Sequence, residues 1–210
     1  MANTGRWRKT PFIRYKPASN LHHATRFAAT LGQPLNQFVT INFTKCSHEG
    51  SDASFTFRAL VSRRFAPWLR RHPRNRACKS PTHVWVVEHA GGQVAVHWAV
   101  HVPGGLIQEF RRRLPRWVSS LVGRRPDDSA IHCRPIDNIT GLKRYMLKGI
   151  DPAWAAFFKV HAVDQGEIVG RRSGFSKNLG PAARRRAGYR PQRRFGNAVP
   201  ATLALGTAAV

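Results

Sequence analysis

The sequence predicts an α+β fold, with helices packed on an antiparallel β-sheet. Three observations carry this expectation. Two strand-like runs flank the pair Gly91-Gly92. Helical apolar spacing recurs on both sides of those runs. The order strand, helix, hairpin, helix, strand, helix lacks the regular alternation of a parallel sheet. The chain has 210 residues, of which 42% are hydrophobic, including 12 Phe and 6 Trp. That is enough for one packed domain with tails.

Each element has its own signal. Residues 1–36, with basic residues, no acid and Pro11, Pro17 and Pro34, read as a basic arm carrying a short helix near Leu21–Leu31. FVTINF, residues 38–43, is rich in β-branched and aromatic side chains and reads as a strand. Residues 53–71 read as a helix. Phe57, Leu60, Val61, Phe65, Trp68 and Leu69 recur every three or four positions, and Pro67 is expected to kink or shorten it. A basic loop, HPRNRACKSP, follows. THVWVVEHA (82–90) and QVAVHWAVHV (93–102) then form a hairpin, because a Gly-Gly loop suits a tight primed turn. In that register residue 88 faces 95 and residue 86 faces 97. Val94, Val96, Trp98, Val100, Trp85 and Val87 share the apolar side. Glu88, Ala95, His97, Ala99 and His101 share the other.

Residues 106–122 are a helix candidate interrupted at Pro115. AIHCRPI, 130–136, reads as a further strand. Asp137 or Asn138 can cap the helix ITGLKRYMLKGI, which stops near Gly149, and PAWAAFFKV is a short apolar element. Residues 164–210, rich in Gly and Arg, read as a basic tail. The domain thus spans 37–163, and the pattern suggests a ferredoxin- or RRM-like sandwich with helices on one face.

Charge narrows the function. Lys+Arg number 35 against 10 Asp+Glu, a formal net charge of +25. Such a field concentrates polyanions, so nucleic acid is the expected partner. Arg111, Arg112, Arg113, Arg144, Arg171, Arg172, Lys177, Arg184, Arg185 and Arg186 are the candidate phosphate contacts, and Phe175 and Tyr189 can stack bases. No run reaches the ~20 apolar residues of a membrane span. The three cysteines are odd in number and far apart, which suits a reducing cytoplasm and argues against a zinc ribbon or disulfide framework.

Acids are scarce, so their positions inform. Between residues 53 and 126 only Glu88 and Glu109 are acidic. Glu109 sits among arginines and reads as a surface ion pair. Glu88 shares a sheet face with His97, one diagonal step away. A carboxylate and an imidazole converging there can bind a divalent cation, and the bland alternative is a packed histidine beside a surface ion pair. Tyr145 precedes Lys148 by three positions on a helical face. A tyrosine hydroxyl can attack phosphorus, and a neighbouring ammonium favours the phenolate. Tyr15 and Tyr189 fall in segments read as arms and are set aside as nucleophiles.

Taken in order, FVTINF, AVHWAVHVP and RYMLKG resemble the three motifs of HUH-superfamily rolling-circle replication initiators: a hydrophobic strand, an H-x-H strand and a Y-x-x-K helix. The resemblance spans roughly residues 37–150. It implies an HUH endonuclease fold and Mg²⁺ or Mn²⁺ held by Glu88 and His97. It implies that Tyr145, assisted by Lys148, attacks single-stranded or origin-hairpin DNA. Such enzymes, from plasmids or phages, keep the 5′-phosphate on tyrosine and leave a 3′-OH primer. The chain departs from the pattern at Ala95, where the first motif histidine belongs. A non-catalytic nucleic-acid-binding protein on a degenerate fold of this kind is the alternative.

Overall fold

The computed structural model describes residues 9–46, 52–73, 75 and 80–190. The basic stretches at 1–8 and 191–210, and much of the loop at 72–81, lie outside the described residues.

The hairpin organises the molecule. Strands β3 (His83–Ala90) and β4 (Gln93–Val100) pair antiparallel around Gly91 (φ +57°) and Gly92 (φ +73°). Both glycines are left-handed, as a primed two-residue turn requires. The register puts Glu88 opposite Ala95 and Val86 opposite His97. Strand β2 (Gln37–Asn42) pairs with the other edge of β4, and β5 (Ile131–Pro135) pairs with β2. A short β7 (Ser173–Phe175) pairs with β3. The result is a five-stranded sheet, order β5-β2-β4-β3-β7, with every neighbouring pair antiparallel. This is an α+β fold.

Helices cover both faces of the sheet, not the one face that the sequence pattern suggested. On the first face Val39, Ile41, Trp85, Val87, Val96 and Trp98 pack against one continuous helical run and a second helix. The run comprises α2 (Ala53–Ala59), a π-helical stretch (Leu60–Phe65) and α3 (Ala66–Arg71). The π-helical stretch ends two residues before Pro67. The wider turn accommodates a residue that has no N–H to give and whose ring crowds the preceding turn. The second helix, α4 (Ile107–Val122), runs through Pro115 without a break. Its buried stripe of Phe110, Leu114, Trp117 and Val118 holds it on the sheet. Burying such side chains at ~1.5–3 kcal/mol each outweighs a proline cost of about 3 kcal/mol. Fully buried Trp98 is ringed by Phe57, Phe65 and Phe110, with centroids 5.0–5.6 Å away.

On the second face Phe38, Val84, Val86 and Ala99 meet α1 (Tyr15–Thr30) and α5 (Ile139–Met146). The side chains of α1 that fill this core are Ala18, Leu21, Ala24, Phe27 and Ala28, a helical stripe within the segment read as an arm. The Gly/Arg-rich stretch after residue 163 is likewise folded in part. Its glycine is the reason: a Cβ at Gly174 would come within 2.7 Å of the Trp85 indole, so only glycine lets β7 lie there. Nearby, Lys9–Thr10 (β1) and Ile168–Val169 (β6) form a two-stranded ribbon. Helices α6 (Pro152–Phe158) and α7 (Pro181–Arg186) complete the described chain. No helix among the described residues is long and apolar enough to cross a membrane.

Candidate active site

The site lies on the second face, where β2, β4, β3 and the end of α5 meet. Sheet parity aims its side chains. Thr40 on β2, His97 on β4 and Val86 on β3 are directly opposed in one row. Asn42, Ala95 and Glu88 form the next row. Period-2 alternation therefore turns Glu88 and His97 to the same side, and their side chains meet diagonally: Glu88 Oε2 is 2.8 Å from His97 Nε2. Both residues are buried.

Helix α5 brings the third group. Asn138 caps it, its Oδ1 accepting from Gly141 N at 2.8 Å. Leu142 and Met146 anchor it in the core, which leaves Tyr145 facing outward, 37% exposed. Tyr145 Oη lies 3.2 Å from His97 Nε2. Lys148 does not continue the helix; it follows in the turn after Met146. Its ammonium still comes back over the Tyr145 ring, 4.3 Å from the centroid, and donates to Glu88 Oε2 at 2.9 Å. Phe38 backs the cluster, stacked on His97 (interplanar 7°) and edge-on to Tyr145 (89°).

Charge settles the protonation of two members. Burial opposes a charged Glu88, but the hydrogen bonds and charges of His97 and Lys148 outweigh it and hold the carboxyl below the usual range. Burial likewise opposes a charged Lys148. The Glu88 carboxylate and the Tyr145 oxygen outweigh it, so the ammonium is held more tightly than normal. Near neutral pH the site holds a carboxylate and an ammonium.

The ring nitrogens are informative. In a hydrolase triad the carboxylate and the nucleophile take opposite nitrogens of the histidine. Here both converge on Nε2, while Nδ1 lies 3.0 Å from Thr40 Oγ1. Such a ring is built to present Nε2 and a carboxylate oxygen to one point. Their 2.8 Å spacing is that of a hydrogen bond, and the same Oε2 also accepts from Lys148 Nζ at 2.9 Å. A partner on the second nitrogen, as Thr40 provides, is the usual support of a metal-ligating histidine. Glu88 and His97 are two donors of the kind that would hold Mg²⁺ or Mn²⁺ in place of the hydrogen bond between them. Among the described residues no group of three His, Cys, Asp or Glu converges to hold a metal. Ala95, half-buried opposite Glu88, supplies no donor.

The candidate phosphate contacts divide by face. Arg144, exposed on α5, adjoins Tyr145. Arg111, Arg112 and Arg113 stand on α4, which covers the opposite face of the sheet. Arg111 there donates twice to Gln37 Oε1, and Arg113 pairs with Glu109. Arg172 and Arg184 are buried. Arg172 donates to the carbonyls of Thr10, Gln165 and Gly166, and Arg184 to Asn20 Oδ1. These two guanidiniums hold the fold together and are not presented to a strand at the surface. Arg171, Lys177, Arg185 and Arg186 are exposed.

The aromatic candidates are taken up by packing. Phe175 and Tyr189 pack on the second core, with Tyr189 5.1 Å from Phe27. Tyr15 opens α1 and packs against Trp154, Phe157 and Phe158. His101 Nδ1 lies 2.8 Å from Pro34 O, away from the Glu88 cluster along the strand direction. Thr40 and Phe38 escaped the sequence reading. Both lie in FVTINF, but their part in the site depends on the β2–β4 pairing, which joins segments nearly sixty residues apart.

Comparison with protein-family models, with curated proteins and with solved structures finds no match.

Proposed function

We propose that this protein is a single-strand DNA nicking and joining enzyme of the rolling-circle initiator kind, on an HUH- or RRM-like sheet, acting in the cytoplasm on plasmid or phage DNA. The observation that carries the reading is the convergence of Tyr145 Oη, His97 Nε2, Glu88 Oε2 and Lys148 Nζ on the second face of the sheet, with the Tyr145 ring exposed.

Tyr145 Oη attacks the scissile phosphorus. The Oη–P bond forms and the P–O3′ bond breaks. The phenolic proton departs to solvent, which reaches the half-exposed ring. The 3′-oxygen leaves as a hydroxyl after taking a proton from water, and the 5′-phosphate stays on tyrosine. Lys148, held as an ammonium between Glu88 and the ring, stabilises the phenolate and the charge gathering on phosphate. Glu88 and His97 would hold Mg²⁺ or Mn²⁺, which would supply Lewis-acid polarisation of the phosphate. Phe38 and Thr40 fix the plane and tilt of the His97 ring. The single-stranded or hairpin substrate is drawn in by the +25 charge.

Ala95 favours a second reading, a non-catalytic nucleic-acid-binding module, because the hairpin offers no ligand opposite Glu88. One experiment separates the two. Purified protein with Mn²⁺ and a pool of single-stranded oligonucleotides should give an adduct that survives denaturing gels. Ala95→His, which adds an imidazole on the Glu88–His97 face, should raise the rate about tenfold, because a third donor tightens a weak site. Salt-sensitive binding with no adduct from either protein would establish the binding module instead.

A further inference from the structure

Beside the nucleophile lies a cavity of about 230 Å³, lined by Phe38, Arg134, Asp137, Asn138, Leu142 and Tyr145. We propose that it receives one unstacked guanine base, from a nucleotide flanking the phosphate that Tyr145 attacks. The proposal rests on the nicking reading for the identity of that phosphate, though not for the binding of the base.

The wall is apolar and partly aromatic, as a base face requires. Phe38 and Tyr145 meet edge-to-face at 5.7 Å, and Leu142 closes the interior side. Two exposed charges of opposite sign stand at its rim. The Arg134 guanidinium lies over the Phe38 ring, 5.2 Å from the centroid, and Asp137 follows three residues later. Neither is in an ion pair among the described residues. Asn138 is committed elsewhere, since its Oδ1 caps α5.

Base chemistry selects among ligands. An arginine fork best meets two adjacent acceptors, and guanine offers O6 and N7. A carboxylate best meets adjacent N–H donors, and guanine offers N1–H and the N2 amino group. Adenine has one acceptor and one donor group on the corresponding edges. Thymine has a single N–H, and cytosine lacks the paired acceptors on a Hoogsteen edge. A rim with one Arg and one Asp therefore matches guanine best. Phe38 is sandwiched between His97 and Arg134, so the apolar contact for an extruded base comes from Leu142 and the exposed Tyr145 ring. A lattice of surface lysines would bind any strand; this cavity would read one letter of it, next to the reacting atom.

The test separates the pocket from the chemistry. Binding of Tyr145→Phe protein, which keeps the ring and removes the nucleophile, is measured on short oligothymidylates with and without one central guanine. A preference of about tenfold for the guanine oligonucleotide is expected, in the range of one bidentate contact. Arg134→Ala and Asp137→Asn, both at exposed positions, should each erase that ratio, whatever they do to overall affinity. Equal binding of the two oligonucleotides, or a preference that survives both substitutions, overturns the pocket. If the preference holds and is lost in both variants, while wild-type protein forms no adduct with guanine-containing strands, the pocket stands and the nicking reading falls.

Discussion

Replacing Tyr145 by phenylalanine should lower covalent capture of single-stranded DNA by a factor on the order of 10³–10⁶, the loss typical of removing a nucleophile. The substitution removes one oxygen and little else. The ring keeps its edge contact with Phe38 and its place beneath the Lys148 ammonium. Tyr145 is 37% exposed, so losing the 3.2 Å contact of its hydroxyl with His97 Nε2 should cost the fold no more than about 1 kcal/mol. Melting temperature should fall by a few degrees at most, and the salt dependence of DNA binding should match the wild type. The comparison is a time course of adduct formation beside a thermal melt. Unchanged capture by a normally folded variant would place the nucleophile elsewhere.

Glu88→Gln has the second largest expected effect, and it falls on stability and chemistry together. The carboxylate is the partner of a buried imidazole at 2.8 Å and of a half-buried ammonium at 2.9 Å. Removing its charge leaves Lys148 facing a neutral amide, at a cost of about 3 kcal/mol. A Glu88→Gln/Lys148→Met double variant should lose less than the sum of the singles, by about 1–2 kcal/mol, because the uncompensated charge goes too. Urea denaturation of the four proteins measures this cycle; strict additivity would mean that the two groups do not interact.

The same pair sets a pH window. Glu88's carboxyl is lowered in the folded protein, so its contribution is complete above the ordinary carboxylate value of 4.5 and is lost as pH falls through the lower folded value. Lys148 is raised, so its contribution is complete below 10.5 and is lost as pH rises through the higher folded value. The contribution of this pair should be constant between those limits, and Glu88→Gln should remove the acid-side dependence that belongs to this group.

Much of the sheet was legible because its signals are local. Gly91-Gly92 fixed the hairpin turn, and alternation then fixed which side chains share a face. Glu88 and His97 could be paired from that register alone. The reach of Tyr145 to the same point could be expected from the motif order, but its distance depends on how α5 docks, and that is decided by Leu142 and Met146 in a core the sequence does not display. The second helical layer was hidden in the same way. Ala18, Leu21, Ala24, Phe27 and Ala28 do form a stripe, but small residues, prolines and flanking charge disguise it. The arginines mislead for a different reason. Composition counts charges and cannot tell Arg144 beside Tyr145 from Arg172, buried among carbonyls, or from Arg112 on the far side of the sheet.

The most direct test of the central claim is the mass of one peptide. Protein incubated with single-stranded DNA and Mn²⁺ is digested with nuclease and then with trypsin, which cuts after Arg144 and Lys148. The peptide Tyr145–Lys148 should gain the mass of a phosphonucleotide on its tyrosine, and the released strand should end in a 3′-hydroxyl. An adduct on Tyr15 or Tyr189 instead, or cleaved DNA with this peptide unmodified, would contradict the account.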